Sequence, residues 1–222
     1  MKTKLVFATA NKGKLREAGE ILGPGFEVIS PAEAGLDAEV EETGETLEEN
    51  SLIKARHLCS QCDVPCFADD TGLEVEALGG APGVRSARYA GEAHDDRANM
   101  ALLLSELSKL GPGVSRKACF RTVITLILNG ETHTFEGRME GSIALSLSGS
   151  NGFGYDPVFI PDAHPGKTLG ELSDSEKNAI SHRGMALRAM AEFLRELLFL
   201  PDIDLVAAAQ TPVRADVSGH RD

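Results

Sequence analysis

Residues 116–141 read RKACFRTVITLILNGETHTFEGRMEG, with β-branched and aromatic side chains on both sides of the pair Asn129–Gly130. Such side chains favour strands, and an Asn-Gly pair suits the positive φ angles of a tight hairpin turn. We therefore predict a long antiparallel hairpin that turns at Asn129 and Gly130. Because the chain opens with a strand, a turn and a helix, the hairpin makes the sheet mixed and the fold class α/β.

The spacing of hydrophobic residues along the sequence predicts the remaining strands and helices. Strands are predicted at residues 2–9, 26–30, 64–70 and 158–160, and residues 71–78 as a half-exposed strand or a hairpin arm. Helices are predicted at residues 11–25 (with a stop at 23–25), 46–62, 95–110 and 181–199, and the capping-box sequence SDSE at residues 173–176 predicts one more helix start. Residues 201–222 show no period, so we expect one two-lobed domain over residues 1–200 and a loosely held tail at 201–222.

Composition limits the functions that the chain can have. It has 222 residues, 42% of them hydrophobic, and a formal net charge of −12. A chain of this length can bury a substantial core, while its negative field repels nucleic acid and anionic membranes. No segment approaches the roughly 20 apolar residues that span a bilayer, so a cytoplasmic location is expected. A phosphate-bearing ligand would have to be small and met by local positive charge.

Four cysteines raise the alternative of a metal-binding or interaction module. Cys59 and Cys62 have the spacing of a metal knuckle, but Cys66 and Cys119 fall in apolar, strand-like runs, and no second C-x-x-C completes a site. We therefore favour buried, reduced cysteines over a zinc or iron–sulfur site. The alternative predicts stoichiometric zinc in the purified protein and unfolding by a chelator.

Adjacent carboxylates occur in FADDTGLEVEAL, residues 67–78, where Asp69 and Asp70 end an apolar run. Two buried like charges repel each other and lose hydration, and Mg²⁺, which prefers a few carboxylates plus substrate phosphate oxygens, is a common remedy. Glu41 and Glu42 belong to a second acidic stretch, although the helix dipole also explains acidic residues at the helix start that follows. Asp69 and Asp70 are therefore a candidate magnesium site.

Positive charge near the first turn suggests an anion site. TANKGK, residues 9–14, lies where a strand meets a helix, so free backbone N–H groups would converge there with Lys12 and Lys14. The sequence is not a Walker A loop, because it lacks the leading glycine and the Ser or Thr that would bind magnesium. The alternative is an ordinary helix start capped by Thr9 or Asn11.

A second cationic group consists of Arg88, Lys177, His182 and Arg183. The last three bracket a break between two predicted helical segments, where side chains and free N–H groups can meet a ligand. A solvated helix face is the alternative interpretation. FGYDP, residues 153–157, adds an aromatic pair and Asp156 on a glycine-rich loop.

Five motifs follow one another along the chain: TANKGK (9–14), EETGETLEENSLIKA (41–55), ADDTGLEVEALGGAPGVRSARYAG (68–91), GFGYDPVF (152–159) and EKNAISHRGMAL (176–187). Together they resemble the inosine/xanthosine triphosphate pyrophosphatase family, the Ham1-like enzymes, over about residues 4–198. The resemblance implies an elongated mixed sheet flanked by helices, with two lobes, a central cleft and a homodimeric assembly. It also implies Mg²⁺-dependent hydrolysis of ITP, dITP and XTP to the monophosphate and pyrophosphate.

The same resemblance assigns roles to residues. Glu41 and Asp70 would hold the metal, and Asp70 would also be the proton acceptor for the attacking water. The residues that would hold the triphosphate and the nucleotide are Thr9, Ala10, Asn11, Lys12, Gly13, Lys14, Lys54, Thr71, Phe153, Gly154, Tyr155, Asp156, Lys177, His182 and Arg183. Thr71 departs from a common serine, and Arg85 stands where an aromatic is frequent and is assigned no role.

The sequence leaves two alternative functions, one enzymatic and one not. A similarly folded Maf-type pyrophosphatase, which prefers pyrimidine nucleotides, is disfavoured by the SHRG and FGYDP sequences. A sensor that binds purine triphosphates without hydrolysing them is disfavoured by the presence of Glu41 and Asp70. Pyrophosphate release from a panel of nucleotides, with and without Mg²⁺, separates these possibilities.

Overall fold

The computed structural model describes residues 2–198 and contains a seven-stranded mixed sheet built around the predicted hairpin. Its strands are β1 (Thr3–Phe7), β2 (Phe26–Ile29), β3 (Cys66–Val75), β4 (Pro82–Gly83), β5 (Lys117–Leu128), β6 (Glu131–Ile143) and β7 (Phe159–Pro161). They lie in the order β2-β1-β3-β5-β6-β7, with β4 paired to β3. β1 is parallel to β2 and β3, whereas the pairs β3–β5, β5–β6 and β6–β7 are antiparallel. The mixed sheet and the α/β class are confirmed.

The hairpin of β5 and β6 turns where the sequence predicts. Asn129 and Gly130 have φ angles of 52° and 80°, which are the left-handed values that a two-residue hairpin turn requires. Register runs without a break from Leu128 opposite Glu131 to Lys117 opposite Ser142. The turn residues therefore fix the alignment of the two longest strands.

Six α-helices occur within residues 2–198, and their bounds are α1 (Lys12–Leu22), α2 (Pro31–Ala34), α3 (Leu47–Cys59), α4 (Asp96–Lys109), α5 (Asp174–Ala179) and α6 (His182–Leu198). The predicted capping box of Ser173 and Glu176 is confirmed at the start of α5. Helix α2 was not predicted, because four residues are too few to show a period, although Ser30 and Glu33 form a capping box there. None of these six helices is long and apolar enough to cross a membrane. The predicted tail at 201–222, and the predicted end of the last helix at Phe199, lie outside the described residues.

Helices cover both faces of the sheet at its β1–β3–β5 end. On one face α1 and α6 pack over Phe7, Phe67 and Ile124, and the rings of Phe7 and Phe67 stack with centroids 4.3 Å apart. On the other face α3 packs through Ala55 against Ala68. A second cluster, which includes Leu73 and residues of α4, fills the opposite end of the sheet.

A glycine in β6 allows the start of α6 to lie directly against the sheet. A Cβ atom built on Gly137 would lie 1.9 Å from the carbonyl oxygen of His182 and 2.7 Å from the amide nitrogen of Ala186. Both neighbours are backbone atoms of a helix, so they cannot rotate away. Gly137 therefore sets how close His182 and Arg183 come to the strands.

We expect Gly137→Ala to destabilise the protein by about 2 kcal/mol or more, because the new methyl group must displace α6. Gly19→Ala is the matched control, since no atom lies within 4 Å of a Cβ built on Gly19 within α1. That substitution should be neutral or stabilise by up to about 1 kcal/mol. Urea unfolding measures both, and equal midpoints for the two variants would contradict the close packing.

Candidate active site

Asp69 and Asp70 lie in the middle of one continuous strand. β3 runs through Val75 and pairs with β5 from Cys66 opposite Ile127 to Val75 opposite Ala118. The prediction that the two aspartates end a strand is therefore wrong, because the following TGLEV segment continues the same ladder. Successive side chains of a strand point to opposite faces, so the two adjacent carboxylates point in opposite directions and contact different helices.

Asp69 lies on the face covered by α1 and α6, and its side chain is almost fully buried. Lys14 Nζ donates to both carboxylate oxygens at 2.9 and 2.8 Å, and Arg183 Nε donates to Oδ2 at 3.0 Å. Burial alone would raise the pKa of Asp69, but Lys14 and Arg183 outweigh it and hold the pKa well below its usual range. Asp69 is therefore a fixed anion that joins two helices.

Asp70 lies on the face covered by α3. Its Oδ1 accepts from Lys54 Nζ at 3.0 Å, and Lys54 Nζ also lies 3.1 Å from Glu42 Oε1. Burial raises the pKa of Asp70 above its usual value; Lys54 opposes the shift, and the negative charge of Glu42 adds to it. The other oxygen, Oδ2, is buried and has no hydrogen-bond partner within residues 2–198. A buried carboxylate oxygen without a partner is costly unless a ligand completes it.

Burial alone would lower the pKa of Lys54. The carboxylates of Asp70, Glu42 and Asp69 outweigh that effect and raise the pKa above its usual value. Lys54 therefore stays protonated between its two carboxylate partners at neutral pH.

A cleft of about 450 Å³ opens beside Asp70. Its lining consists of Lys14, Val40, Glu42, Lys54, Asp69, Asp70, Thr71, Val84, Ala87, Arg88 and His94. Predicted residues from three separate motifs, Lys14, Lys54 and Asp70, are thus brought to one place. Thr71 also lines the cleft, and its hydroxyl lies 2.7 Å from that of Thr122.

For the second carboxylate the structure favours Glu42 over the predicted Glu41. Glu42 lines the cleft and contacts Lys54, whereas Glu41 is exposed and is not part of the lining. The segment from 38 to 44 has no regular secondary structure, so neither helical nor strand period could choose between the two neighbours. His94, which also lines the cleft, was missed because it lies in an irregular, exposed segment.

The TANKGK segment forms the predicted capped start of α1. The Asn11 side chain accepts from the backbone N–H groups of Gly13 and Lys14 at 2.8 and 3.2 Å, and Thr9 Oγ1 accepts from the Asn11 N–H at 3.1 Å. Asn11 is therefore the cap, as one of the alternatives predicts. Lys12 is exposed and lies outside the lining of the cleft, as do Ala10 and Gly13.

The FGYDP segment and Lys177 form a second group. Asp156 is buried and accepts from Lys177 Nζ at 2.5 Å and from the Phe153 N–H at 3.1 Å. Lys177 Nζ lies 5.9 Å from the centroid of the Phe153 ring, which is 71% exposed. Gly154 N–H donates to Asp96 at 2.8 Å. An exposed aromatic ring beside an anchored ammonium group is suited to hold a flat, polar ring.

Tyr155 and His182 have interior positions. Tyr155 is buried and donates its hydroxyl to the Ser86 carbonyl at 2.8 Å. His182 stacks on Phe120 with ring centroids 5.1 Å apart. Burial, with the nearby charge of Arg183, lowers the pKa of His182 to about 3, so the ring is neutral at pH 7. Its Nδ1 atom is buried without a partner in the described part of the chain.

The break between α5 and α6, at Ile180 and Ser181, is confirmed. Arg183, which follows the break, contacts Asp69 and also lies 3.6 Å from Glu17. The first turn of α6 is thereby joined to both α1 and β3.

The residues present fit a magnesium ion held partly by substrate. Across residues 2–198 no three His, Cys, Asp or Glu side chains form a ready metal cluster. Mg²⁺, however, is commonly bound by one or two carboxylates together with substrate phosphates and water. The unpartnered Oδ2 of Asp70, with Glu42 nearby, supplies oxygen ligands of that kind.

The four cysteines have free thiols. Cys62 and Cys66 have sulfur atoms 3.6 Å apart, and the Cys66 thiol donates to the Val64 carbonyl. Burial raises the pKa of Cys66 well above its usual range and that of Cys119 to about 11. Both thiols are therefore protonated at neutral pH, a poor state for ligating metal.

Comparisons with known proteins identify the family of the chain. Residues 5–193 match the Ham1 family. A dITP/XTP pyrophosphatase from Porphyromonas gingivalis is 50% identical over 191 residues, which are 86% of this chain and 97% of the relative. A dITP/XTP pyrophosphatase from Bacillus subtilis is 47% identical over 191 residues, which are 85% of this chain and 96% of the relative.

Solved structures show the same fold. A Ham1 protein from Coxiella burnetii superposes with a TM-score of 0.82 at 41% identity, covering 87% of this chain and 99% of its own. The Ham1 protein from Staphylococcus aureus gives a TM-score of 0.79 at 41% identity, with the same coverage of both chains.

Removing the charge of Asp69 should destabilise the fold in a pH-dependent way. Asp69→Asn leaves Lys14 and Arg183 without their shared anion, and we expect a loss of about 3 kcal/mol at pH 7. Because the folded pKa of Asp69 is depressed, its contribution is present above the unfolded pKa of about 4 and is lost as pH falls below it.

Urea unfolding at pH 7 and at pH 3 measures this effect. The difference between wild type and Asp69→Asn should shrink at the lower pH. Asp63→Asn, at an exposed aspartate just before β3, is the control and should change stability by less than about 0.5 kcal/mol. A pH-independent cost at Asp69 would contradict the ionic role.

Proposed function

Because the chain belongs to the Ham1 family, we propose that it is a Mg²⁺-dependent pyrophosphatase acting on dITP, XTP and ITP. Membership in the family and its relatives identify it as a nucleoside triphosphate pyrophosphatase. The products would be the nucleoside monophosphate and pyrophosphate. The single observation that carries the mechanism is the buried, unpartnered Oδ2 of Asp70 in the cleft.

Asp70 is suited to accept a proton or to bind a cation. Its Oδ1 is held by Lys54, so the carboxylate has one orientation and Oδ2 stays free. Burial raises its pKa, which makes it a stronger base than an exposed aspartate. We assign it the orientation and deprotonation of the attacking water.

Asp70 and Glu42 are the residues that would hold Mg²⁺, in place of the pair Glu41 and Asp70 inferred from the sequence. When bound, the ion would supply positive charge to the phosphate oxygens as they become more negative in the reaction. Lys54 contacts the same two carboxylates and lines the cleft, where its positive charge would offset that of the phosphates. Lys14, which contacts Asp69, lines the same cleft and adds a second cation.

The second group of residues suits the purine. Phe153 offers an exposed face for stacking, and Lys177 has donors left after its contact with Asp156. Hypoxanthine and xanthine carry a 6-oxo acceptor where adenine carries an amino donor. A donor from Lys177 would pair with the former and meet another donor in the latter, which costs about 1–3 kcal/mol when buried. Arg183 is already held by Asp69 and Glu17, so Lys177 is the favoured donor.

Two parts of the sequence-based assignment stay with this proposal. The backbone of Thr9–Lys14 and the residues Thr71, Gly154, Tyr155 and His182 are retained as nucleotide or phosphate contacts. The resemblance also implies a homodimer in the cytoplasm. Light scattering on the purified protein measures the assembly directly.

The activity is tested by pyrophosphate release from dITP, XTP, ITP, GTP, ATP and CTP, with and without Mg²⁺. We expect Mg²⁺-dependent release from the first three. Asp70→Asn should lower kcat by about 10²–10⁴-fold while the protein stays folded. The control is Asp162→Asn at an exposed position, which should keep wild-type rates. Near wild-type turnover in Asp70→Asn would remove this residue from the mechanism.

Selectivity is tested at Lys177. Lys177→Ala should lower kcat/KM for ITP about tenfold or more and change the value for ATP much less, so the preference between them shrinks. Lys167→Ala, at an exposed lysine in the preceding loop, is the control and should preserve the preference. Equal losses on both nucleotides would make Lys177 a phosphate or structural contact instead.

A further inference from the structure

The cations that line the cleft differ in whether they already have a carboxylate partner. Lys14 is paired with Asp69, and Lys54 with Asp70 and Glu42. Arg88 lines the same cleft and is partly buried. Within residues 2–198 its guanidinium forms no ion pair and no hydrogen bond. An anion that enters can therefore bind Arg88 without separating an existing pair.

The segment that carries Arg88 is held from several directions. Ser86 Oγ donates to the Gly83 carbonyl at 2.6 Å and accepts the Leu73 N–H of β3 at 2.8 Å. The buried Asn99 of α4 holds the backbone before and after Arg88, because it donates to the Ala87 carbonyl at 3.1 Å and accepts the Ala90 N–H at 2.7 Å. The backbone on both sides of Arg88 is therefore fixed to the strand of Asp70 and to α4.

A fixed backbone lowers the entropy that is lost when a long side chain binds a ligand. Arginine presents parallel N–H donors that match two oxygens of a phosphate group, and its charge does not depend on pH in the working range. Ordering such a side chain costs entropy, and less of it is lost when the backbone is already rigid. Arg88 has the charge, the position and the support of a phosphate-binding residue.

We propose that Arg88 binds the triphosphate of the substrate directly, as a further binding residue on the wall of the cleft formed by residues 84–94. The inference rests on the proposed triphosphate chemistry, and it adds a contact outside the motifs that carry the lysines. Lys14 and Lys54 are partly occupied by carboxylates, so part of the negative charge of linked phosphates is left for Arg88 to bind. The contribution of Arg88 to affinity is therefore greatest for ligands with linked phosphates. The nucleoside end of the substrate is bound independently of it.

The test uses Arg88→Met and compares it with Arg85→Met. Arg85 lies three residues earlier in the same segment, is exposed and is not part of the cleft lining, so it matches the charge change. Titration calorimetry with inorganic triphosphate and Mg²⁺ measures binding without turnover. We expect Arg88→Met to weaken that binding about 10- to 100-fold and to raise KM for dITP similarly, with Arg85→Met within about twofold of wild type.

Further measurements separate the possible outcomes. Arg88→Lys keeps the charge and should recover part of the affinity, while binding of inosine should be unchanged in all variants. Triphosphate binding that is equal in wild type and Arg88→Met would overturn the inference, even if dITP is hydrolysed normally. If no nucleotide is hydrolysed but inorganic triphosphate still requires Arg88, the proposed function fails and the binding site remains. The Arg88 side chain makes no hydrogen bond within residues 2–198, so the Met variant is expected to fold, which a thermal melt checks.

Discussion

The site depends on two adjacent carboxylates that point to opposite faces of one strand. At contact distance in a buried environment, two negative charges would raise each other's pKa, and one of them would become protonated. Strand geometry limits this effect, because Asp69 turns toward α1 and α6 while Asp70 turns toward α3, and the charge of Asp69 raises the pKa of Asp70 less than burial and Glu42 do. Each is then matched by cations from the helices on its own side.

This division gives the two aspartates different properties. Asp69 has both oxygens bound and a depressed pKa, which suits a structural anion that joins helices. Asp70 has one oxygen bound, one oxygen free and a raised pKa, which suits a residue that accepts a proton or binds a cation. The same residue type therefore serves two roles because burial and partners differ on the two faces.

The local cations also explain how an acidic protein can take a polyanionic substrate. The chain carries a net charge of −12, so its distant field opposes a triphosphate, and screening limits that field to about 8–10 Å at physiological salt. Inside the cleft Lys14, Lys54 and Arg88 line the walls, so positive charge is available at short range to a ligand that enters.

Sequence reasoning predicted the elements with a clear period and the residues within long motifs. The hairpin turn at Asn129 and Gly130 and the capping box of α5 have chemical signatures that depend on a few neighbours. It placed Asp69 and Asp70 at a strand end, because the polar pair looks like a boundary, whereas pairing with β5 carries the strand past them. It named Glu41 as a metal ligand through the resemblance, in an irregular segment where only tertiary contact with Lys54 distinguishes Glu42 from Glu41. The contact of Gly137 with α6 depends on two segments far apart in sequence and had no local signal.

The unbroken ladder between β3 and β5 has a consequence for local opening. The amide of Asp70 lies opposite Val123, in the interior of a strand and between packed helices. Segments of this kind exchange their amide hydrogens mainly through global unfolding, unlike the loop-borne sites of many enzymes. The free energy that protects the Asp70 amide is therefore the free energy of the whole fold. Heating would therefore disrupt the geometry of Asp70 only at the temperature at which the sheet unfolds. The irregular segment that carries Glu42 can fluctuate at lower temperatures.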